Sequence, residues 1–407
     1  MPASLTEQQR SAIDATVAAY LPELVAVRRD LHAHPELSNA EHRTTEVVRA
    51  RLAAAGLDSH ALPRGTGLTC DVGGVGGAGS GPSTVGAVAL RADLDALPVT
   101  DEKQVDYRST VAGQCHACGH DVHTAVVLGA GLVLAHLTRQ GMVQGGVRLI
   151  FQPAEEATPG GALDVIAAGR LAGIERIFTV HCDPRTDAGL VGLRVGPITG
   201  SADHVRVRLS GSGGHTARPH LTADLVYALG RVVTDVPAVL SRRVDPRAGL
   251  SLVWGRIQAG GAANAIPREG EVEGTVRSLN ADVWELAPVV VEEAVRAVVG
   301  AYGVDVEVSY TRGVPPVVND PVAVELLAAS ARALVGPDAV IDTEQSLGGE
   351  DFAWYLGQVP GALARLGVRR PGDVVGRDLH QGSFDVDEDA IAVGVRLLVG
   401  AALLSLS

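Results

Sequence analysis

Cysteine is scarce in this chain. Four residues in 407 are too few and too scattered for a disulfide framework. Positive charge is short as well: 34 basic residues against 47 acidic give a net charge of −13, which argues against nucleic acid or an anionic membrane as the main partner. The longest apolar tract, AIAVGVRLLVGAALLSLS at the C-terminus, is short, carries Arg396 and ends polar. It reads as a buried or amphipathic helix, not a membrane span. The opening MPASLTEQQR has no basic region followed by an apolar run, so no signal peptide is expected and the cytoplasm is the expected compartment. In that reducing setting clustered thiols serve as metal ligands or catalytic groups more often than as disulfides. No internal repeat of short period is present. What remains is a chain of ordinary apolar content, long enough for two domains with cores of their own.

Residues 6–34 read as a helix. STVGAVALRAD (83–93), GGVRLIFQPAEE (145–156) and IERIFTVHCD (174–183) are apolar, Val-rich runs that end in carboxylates or histidine. Helical patterns at 123–138 and 161–170 separate the last two from what precedes them. Short buried strands alternating with helices predict an α/β fold with a mostly parallel sheet. Its acidic and histidine residues fall at the C-terminal strand ends, where open α/β sheets place ligand sites.

The rhythm changes near residue 200. ADHVRVRLSG alternates like a half-exposed strand, a helical pattern follows at 222–241, and GLSLVWGRIQAG and GEVEGTVRSL read as two more strands. A helix at 281–300 and a strand at 304–311 complete β-α-β-β-α-β, the order of a ferredoxin-like unit. The expected organisation is a discontinuous main domain, residues 1–197 and 313–407, with a smaller one, residues 198–312, inserted. DVGGVGGAGSGP (71–82) contains a G-x-G-x-x-G, but a strand pattern follows it where a dinucleotide fingerprint needs a helix. It reads as a loop or hairpin.

The densest chemistry lies in GQCHACGHDVH, residues 113–123. Cys115 and Cys118 form a C-x-x-C. A redox reading leaves the carboxylates and distant histidines unexplained. Haem attachment needs His directly after the second Cys, where Gly119 stands. A zinc knuckle needs a second ligand pair, and Cys70 and Cys182 are lone. The alternative is a set of ligands scattered along the chain. Cys118 and His120 lie two apart, with His116 and His123 as neighbouring alternatives. QPAEE contributes Glu155 and Glu156, TVHCDP contributes His181, and DLHQGSFD contributes His380. Thiolate, imidazole and carboxylate together suit zinc, and also cobalt, nickel or manganese. Adjacent glutamates make sense if one binds metal while the other serves as a base.

Through these motifs the sequence resembles the zinc-peptidase-like amidohydrolases, the family of hippurate hydrolase, indole-acetyl-amino-acid hydrolases, N-acyl-amino-acid aminoacylases and N-acetyl-diaminopimelate deacetylase. The resemblance runs nearly end to end: RRDLHAHPELSNAEHRT, LRADLDALPV, HACGHDVH, IFQPAEE, VHCDP, GSGGHTARPH, GGAANAIP, GTVR, GGEDFAWYL and LHQGSFDVDEDAI occur in that order. It implies two divalent metal ions per subunit, held by Cys118, His120, Glu156, His181 and His380, with Cys118 bridging and Glu155 as general base. It implies that the inserted domain acts as a lid and dimer contact, making a homodimer or higher homo-oligomer. There His215 would serve a neighbouring subunit's active site, and Asn264 and Arg277 would bind substrate. Asp93 stands where peptidase cousins carry a histidine ligand, so Asp93 and Asp95 are expected to orient ligands. The motif around His32, His34 and Glu36 marks the family without revealing its chemistry. Cys115 stands where relatives often carry Met, and Gly349 where Ser or Ala is common. The function implied is metal-dependent hydrolysis of small N-acyl-L-amino acids. A carboxypeptidase or dipeptidase, and a non-catalytic metal- or ligand-binding homologue, are the alternatives.

Overall fold

In this computed structural model residues 4–75, 86–373 and 376–407 are described. Most of the glycine-rich stretch read as a loop, from residue 76 onward, lies outside them. The chain divides into two compact units. One comprises Met1–Gly196, Val318–Glu344 and Trp354–Ser407; the other comprises Pro197–Val317 and Gln345–Ala353. Gln345–Ala353, which the sequence places in the returning segment, thus groups with the second unit.

The first unit opens with α1 (Glu7–Ala33), whose start is fixed by a capping box. The Thr6 hydroxyl accepts from the Gln9 backbone, and the Gln9 side chain accepts from the Thr6 N–H, satisfying two otherwise unpaired donors. Ile13, Val17, Leu24, Val27 and Leu31 form its buried stripe, at the spacing of one helix face. Arg28 and His32 are buried too. Then come α2 (His42–Ala54), β1 (Ser59–Ala61), β2 (Leu68–Gly73), β3 (Ala87–Asp93), α3 (His120–Arg139), β4 (Gly146–Gln152), α4 (Ala162–Ala167), β5 (Ile174–Asp187) and β6 (Val191–Leu193).

The second unit contributes β7 (Ala202–Ser210), α5 (Leu225–Arg243), β8 (Ser251–Ala259), β9 (Glu269–Arg277), α6 (Ala281–Val299) and β10 (Asp305–Val314). The chain returns to the first unit with α7 (Pro321–Leu334), β11 (Val340–Asp342), β12 (Gly361–Arg369) and α8 (Asp389–Ser405).

The first unit's sheet has the order β1-β2-β4-β3-β5-β12-β6-β11. Its centre is parallel: β3 pairs in that sense with β4 and β5, and β12 with β5. Every residue of β3 and β4 is buried, as in strands covered by helices on both faces. The sheet is nonetheless mixed, although β6 and β11 also pair in parallel. β1 and β2 pair antiparallel, as do β2 with β4 and β6 with β12. Residues 62–67 join β1 to β2 and 188–190 join β5 to β6, reversals too short for the crossover a parallel pair requires. Strands of three residues also carry too little alternation to announce themselves.

One hydrophobic core joins α1, α3, α7 and α8 to this sheet. Among the described residues α3 alone is long and apolar enough to cross a membrane, but 89% of its apolar window is buried inside the protein, so it is a core helix. The second unit has a core of its own. Its sheet, ordered β8-β9-β7-β10, is antiparallel throughout. Residues of β7 alternate between buried and exposed. Val205, Val207 and Leu209 on its inner face pack with Leu229 and Val232 of α5 and Val291 and Val295 of α6.

Candidate metal centre

The site is assembled at one end of the central strands. β3 ends at Asp93 and β4 at Gln152, and the next residues of β4's chain are the Pro153–Glu156 turn. β5 runs on past the β3 ladder, whose last pair is Arg91 with Thr179, so His181 falls level with the end of β3. The segment before α3 crosses the same end. Gly119 makes its final turn at φ +88°, and a Cβ there would lie 2.6 Å from Cys182 Sγ. Only glycine fits both the left-handed backbone and the close approach. His380 comes from the loop after β12, where its backbone N–H donates to Ala117 O at 2.8 Å.

Six side chains named from the sequence meet here. Cys118 Sγ lies 3.6 Å from His181 Nε2. His120 Nε2 lies 3.9 Å from both Glu155 Oε2 and Glu156 Oε1, and His380 Nε2 lies 3.5 Å from Glu156 Oε1. Donor atoms of Cys118, Glu156 and His380 fall within 4.8 Å of one another, as do those of His120, Glu155 and Glu156.

The surroundings set the tautomers. His120 Nδ1 donates to Asp95 O at 2.8 Å, and His181 Nδ1 donates to Cys182 O at 2.8 Å. Each ring therefore turns Nε2 toward the cluster, which is how metal-binding histidines are commonly oriented. His120 Nε2 and Glu156 Oε1 are buried without a hydrogen-bond partner, a costly state unless something else satisfies them. A divalent cation fits this donor set. Burial pushes the Cys118 thiol up and the His181 imidazole down. Neutral imidazole is the ligating form, and a coordinated cation would convert the thiol to thiolate. The Glu156 carboxylate beside it raises His380.

Of the other nearby candidates, Asp93 stays beside the cluster: its Oδ2 lies 3.8 Å from His120 Nε2, and donor atoms of Asp93, His120 and His123 fall within 4.8 Å of one another. Both nitrogens of His123 are engaged: Nδ1 donates to Asp93 Oδ1 at 2.6 Å, and Nε2 accepts from the Cys182 N–H at 2.9 Å. His116 is buried, which pushes it down to about 3, and its ring neighbours His32, with centroids 6.2 Å apart. Asp93 also pairs with Arg91 at 2.6 Å. Burial alone would raise Asp93, but His120, Arg91 and His123 hold it well below the usual carboxylate range. Asp95 accepts from Glu155 N and Glu156 N, at 3.1 and 3.0 Å, and from the Ser38 hydroxyl at 2.6 Å. The two aspartates orient the gathered side chains and the turn beside them.

Cys115 faces away from this cluster, toward Lys103 Nζ at 3.4 Å. All four cysteines are free, and the C-x-x-C is not a bonded pair. Sequence reasoning also left unexplained the HAHPELSNAEH segment, which supports the site. Glu41 Oε1 accepts from Ala154 N at 2.7 Å, just before the glutamate pair. Glu36 accepts from Arg43 N and Thr44 N, at 3.0 and 2.8 Å, capping α2 from outside. The density of polar residues in that motif was the available signal.

In the second unit, His215 and Asn264 are exposed neighbours. His215 pairs with Ala265 in a two-residue ladder, and Thr216 N donates to Asn264 O at 3.2 Å. His215 Nδ1 accepts from Ala217 N at 3.0 Å, which leaves Nε2–H as a donor. Arg277 donates to Leu347 O.

A mixed α/β sheet presenting thiol, imidazole and carboxylate donors at the end of its parallel strands defines a site of the metallohydrolase kind. Residues 89–404 match the model of peptidase family M20/M25/M40, and the chain belongs to that family as a hydrolase acting on amides. A putative glutamate–cysteine ligase of Rhodococcus jostii is 50% identical over 94% of this chain, which spans only 46% of that relative's length. An N-acetyl-L-cysteine deacetylase of Bacillus subtilis is 36% identical over 91% of this chain and 85% of its own. Among solved structures, a dinuclear metal binding peptidase of the M20 family from Bacillus subtilis is 30% identical. It superposes with a TM-score of 0.82 over 96% of this chain and 99% of that one.

Proposed function

We propose that this chain hydrolyses the amide bond of N-acyl-L-amino acids, releasing a carboxylic acid and a free amino acid, with Glu155 as general base. The observation that carries this reading is the fixed Glu155–Glu156 pair. One aspartate, Asp95, receives both backbone N–H groups, while Glu156 faces His380 and His120 and Glu155 faces His120. Two adjacent carboxylates held this way divide the work, Glu156 among the metal donors and Glu155 as the base. Cys118, His120, Glu156, His181 and His380 would hold two divalent ions, zinc or manganese before cobalt or nickel. When bound, such ions polarise the scissile carbonyl and acidify water to near neutrality. Glu155 takes the proton from the attacking water and hands it to the departing amine. The second unit has the strand order of a ferredoxin-like domain, and we assign it the lid and dimer contact. The Nε2–H of the partner subunit's His215 would then stabilise the developing oxyanion, with Asn264 and Arg277 binding the substrate, Arg277 at its carboxylate.

Two of the similar proteins carry names that concern cysteine, so N-acyl-cysteines head the substrate panel. The test is metal analysis of purified protein, then assay of N-acetyl, N-benzoyl and long-chain acyl amino acids beside dipeptides, with each metal added back. Preferred turnover of acyl amino acids supports the proposal. Preferred turnover of dipeptides establishes the carboxypeptidase or dipeptidase alternative, and a metal-loaded protein inert on every amide establishes a binding homologue. Glu155→Gln should retain metal and fold while losing two or more orders of magnitude in rate, about the contribution of a general base. Near-normal turnover in that variant would remove Glu155 from the role.

A further inference from the structure

Arg28 and His32 lie one turn apart on the buried face of α1, where apolar side chains are the rule. Arg28 Nε pairs with Asp121 Oδ2 at 2.8 Å, and His32 Nδ1 lies 2.7 Å from the same oxygen. On its other side His32 Nε2 faces Asp101 Oδ2 at 3.3 Å. Asp101 Oδ1 in turn accepts from Lys103 Nζ at 2.9 Å, and Lys103 reaches Cys115. Lys103 is the sole lysine of the 407-residue chain, and it is buried. The result is an unbroken buried line: Arg28, Asp121, His32, Asp101, Lys103, Cys115.

Two members of this line bracket Cys118 and His120 in the sequence. Asp121 directly follows His120 at the start of α3, and Cys115 stands three residues before Cys118. We propose that His32, clamped between Asp121 and Asp101, is a positioning residue that ties α1 to the 115–121 segment and fixes the orientation in which Cys118 and His120 present their donor atoms. This rests on the reading of Cys118 and His120 as metal ligands.

The chemistry of the clamp supports a fixed geometry. A neutral imidazole carries one N–H and serves one carboxylate, here Asp121 through Nδ1. Nε2 makes no hydrogen bond of good geometry and faces Asp101 at ion-pair distance, an arrangement that suits the protonated ring. Burial alone would lower His32, but Asp121 and Asp101 raise it to about 10, so both donors are present at neutral pH. His32, Asp101 and Cys115 also place donor atoms within 4.8 Å of one another, a trio that could itself attract a metal. Lys103 supplies a fixed ammonium against two of the three, which keeps this trio as a strut beside the metal donors. Burying a line of charges is a poor route to stability, since desolvation offsets most of the attraction. It does hold its members at defined distances and angles, and outer partners of metal ligands typically change metal affinity 10–100-fold when removed.

The test compares wild type, His32→Gln, Lys103→Met and Lys103→Arg in the full-length protein. Zinc affinity is measured by chelator competition, beside thermal midpoint and kcat and KM on the best substrate. Leu24→Ala, a core truncation elsewhere on α1, controls for lost stability. His32→Gln and Lys103→Met should weaken zinc binding by about 10–100-fold and lower kcat with KM little changed. Lys103→Arg should recover most of the affinity, and Leu24→Ala should lower the midpoint without changing it. Should His32→Gln not fold, Asp101→Asn tests the same clamp with less loss of volume. Wild-type zinc affinity in the folded clamp variants, or an equal loss in Leu24→Ala, overturns the proposal while leaving the metal centre intact. A wild type that binds no divalent metal overturns the metal-centre reading and this inference with it.

Discussion

Cys115 and Cys118 look interchangeable in the sequence and occupy opposite situations in the fold. Both are buried. Cys118 Sγ faces His181 among the glutamates and histidines, whereas Cys115 Sγ sits beside the Lys103 ammonium. Serine keeps the size of each side chain but is a far weaker metal ligand than thiolate. We therefore expect Cys118→Ser to lose metal affinity by an order of magnitude or more, and Cys115→Ser to lose little. Chelator competition on the two variants measures this directly, and equal losses would return the C-x-x-C to the metal site as a unit. The candidates Cys118, His120, Glu155, Glu156, His181 and His380 were legible because few side chains bind metal or move protons, and theirs fell beside predicted strand ends. Lys103 and Asp101 were not legible. They stand in a loop without periodicity, and nothing local shows that they meet His32, some 70 residues away.

At the scale of elements, the contact between α1 and the start of α3 is ionic where the rest of the interface is apolar, and this gives it a pH dependence. His32 is raised to about 10 in the folded protein, against roughly 6.5 in an unfolded chain. Its charged form is favoured by folding, so its contribution is complete below about pH 6.5 and fades as pH rises toward 10. The stability gap between wild type and His32→Gln should be on the order of a few kcal/mol near pH 6 and shrink steadily up to pH 10. Urea unfolding across that range reads the gap, and one that stays constant would show that His32 is not charged in the fold. Asp101 and Asp121 work in the opposite direction. Both are held below the usual carboxylate range, with burial opposing and the His32 and Arg28 side that favours the anion prevailing, so their share disappears in acid. α1 itself was readable from 6–34, because an apolar stripe and a capping box are local signals. The sense of strand pairing was not. It depends on connections such as 62–67 and 188–190, whose geometry is settled by what they pack against.

At the scale of the whole molecule, the two units have separate hydrophobic cores. The change of rhythm near residue 200 announced the second one, because alternating half-exposed strands differ from continuous buried runs. That Gln345–Ala353 groups with it was invisible, since this segment is joined to the second unit only through space, as where Ser346 N donates to Ile198 O at 2.9 Å. The proposed metal donors are distributed unequally. Cys118, His120, Glu156, His181 and His380 all belong to the first unit. They come from the segment before α3, the turn after β4, β5 itself and the loop after β12, so a bound cation crosslinks parts of one core. A ligand that binds only the folded state stabilises it by RT ln(1 + [L]/Kd), about 4 kcal/mol at a thousandfold excess over Kd. Two cores need not unfold as one cooperative step. Scanning calorimetry should therefore show two transitions, with chelation lowering one by several degrees while the other stays within about a degree. Adding zinc or manganese back should restore the shifted transition. Equal displacement of both transitions would mean that the cation stabilises more than the unit that supplies its ligands, and would require donors from the second unit.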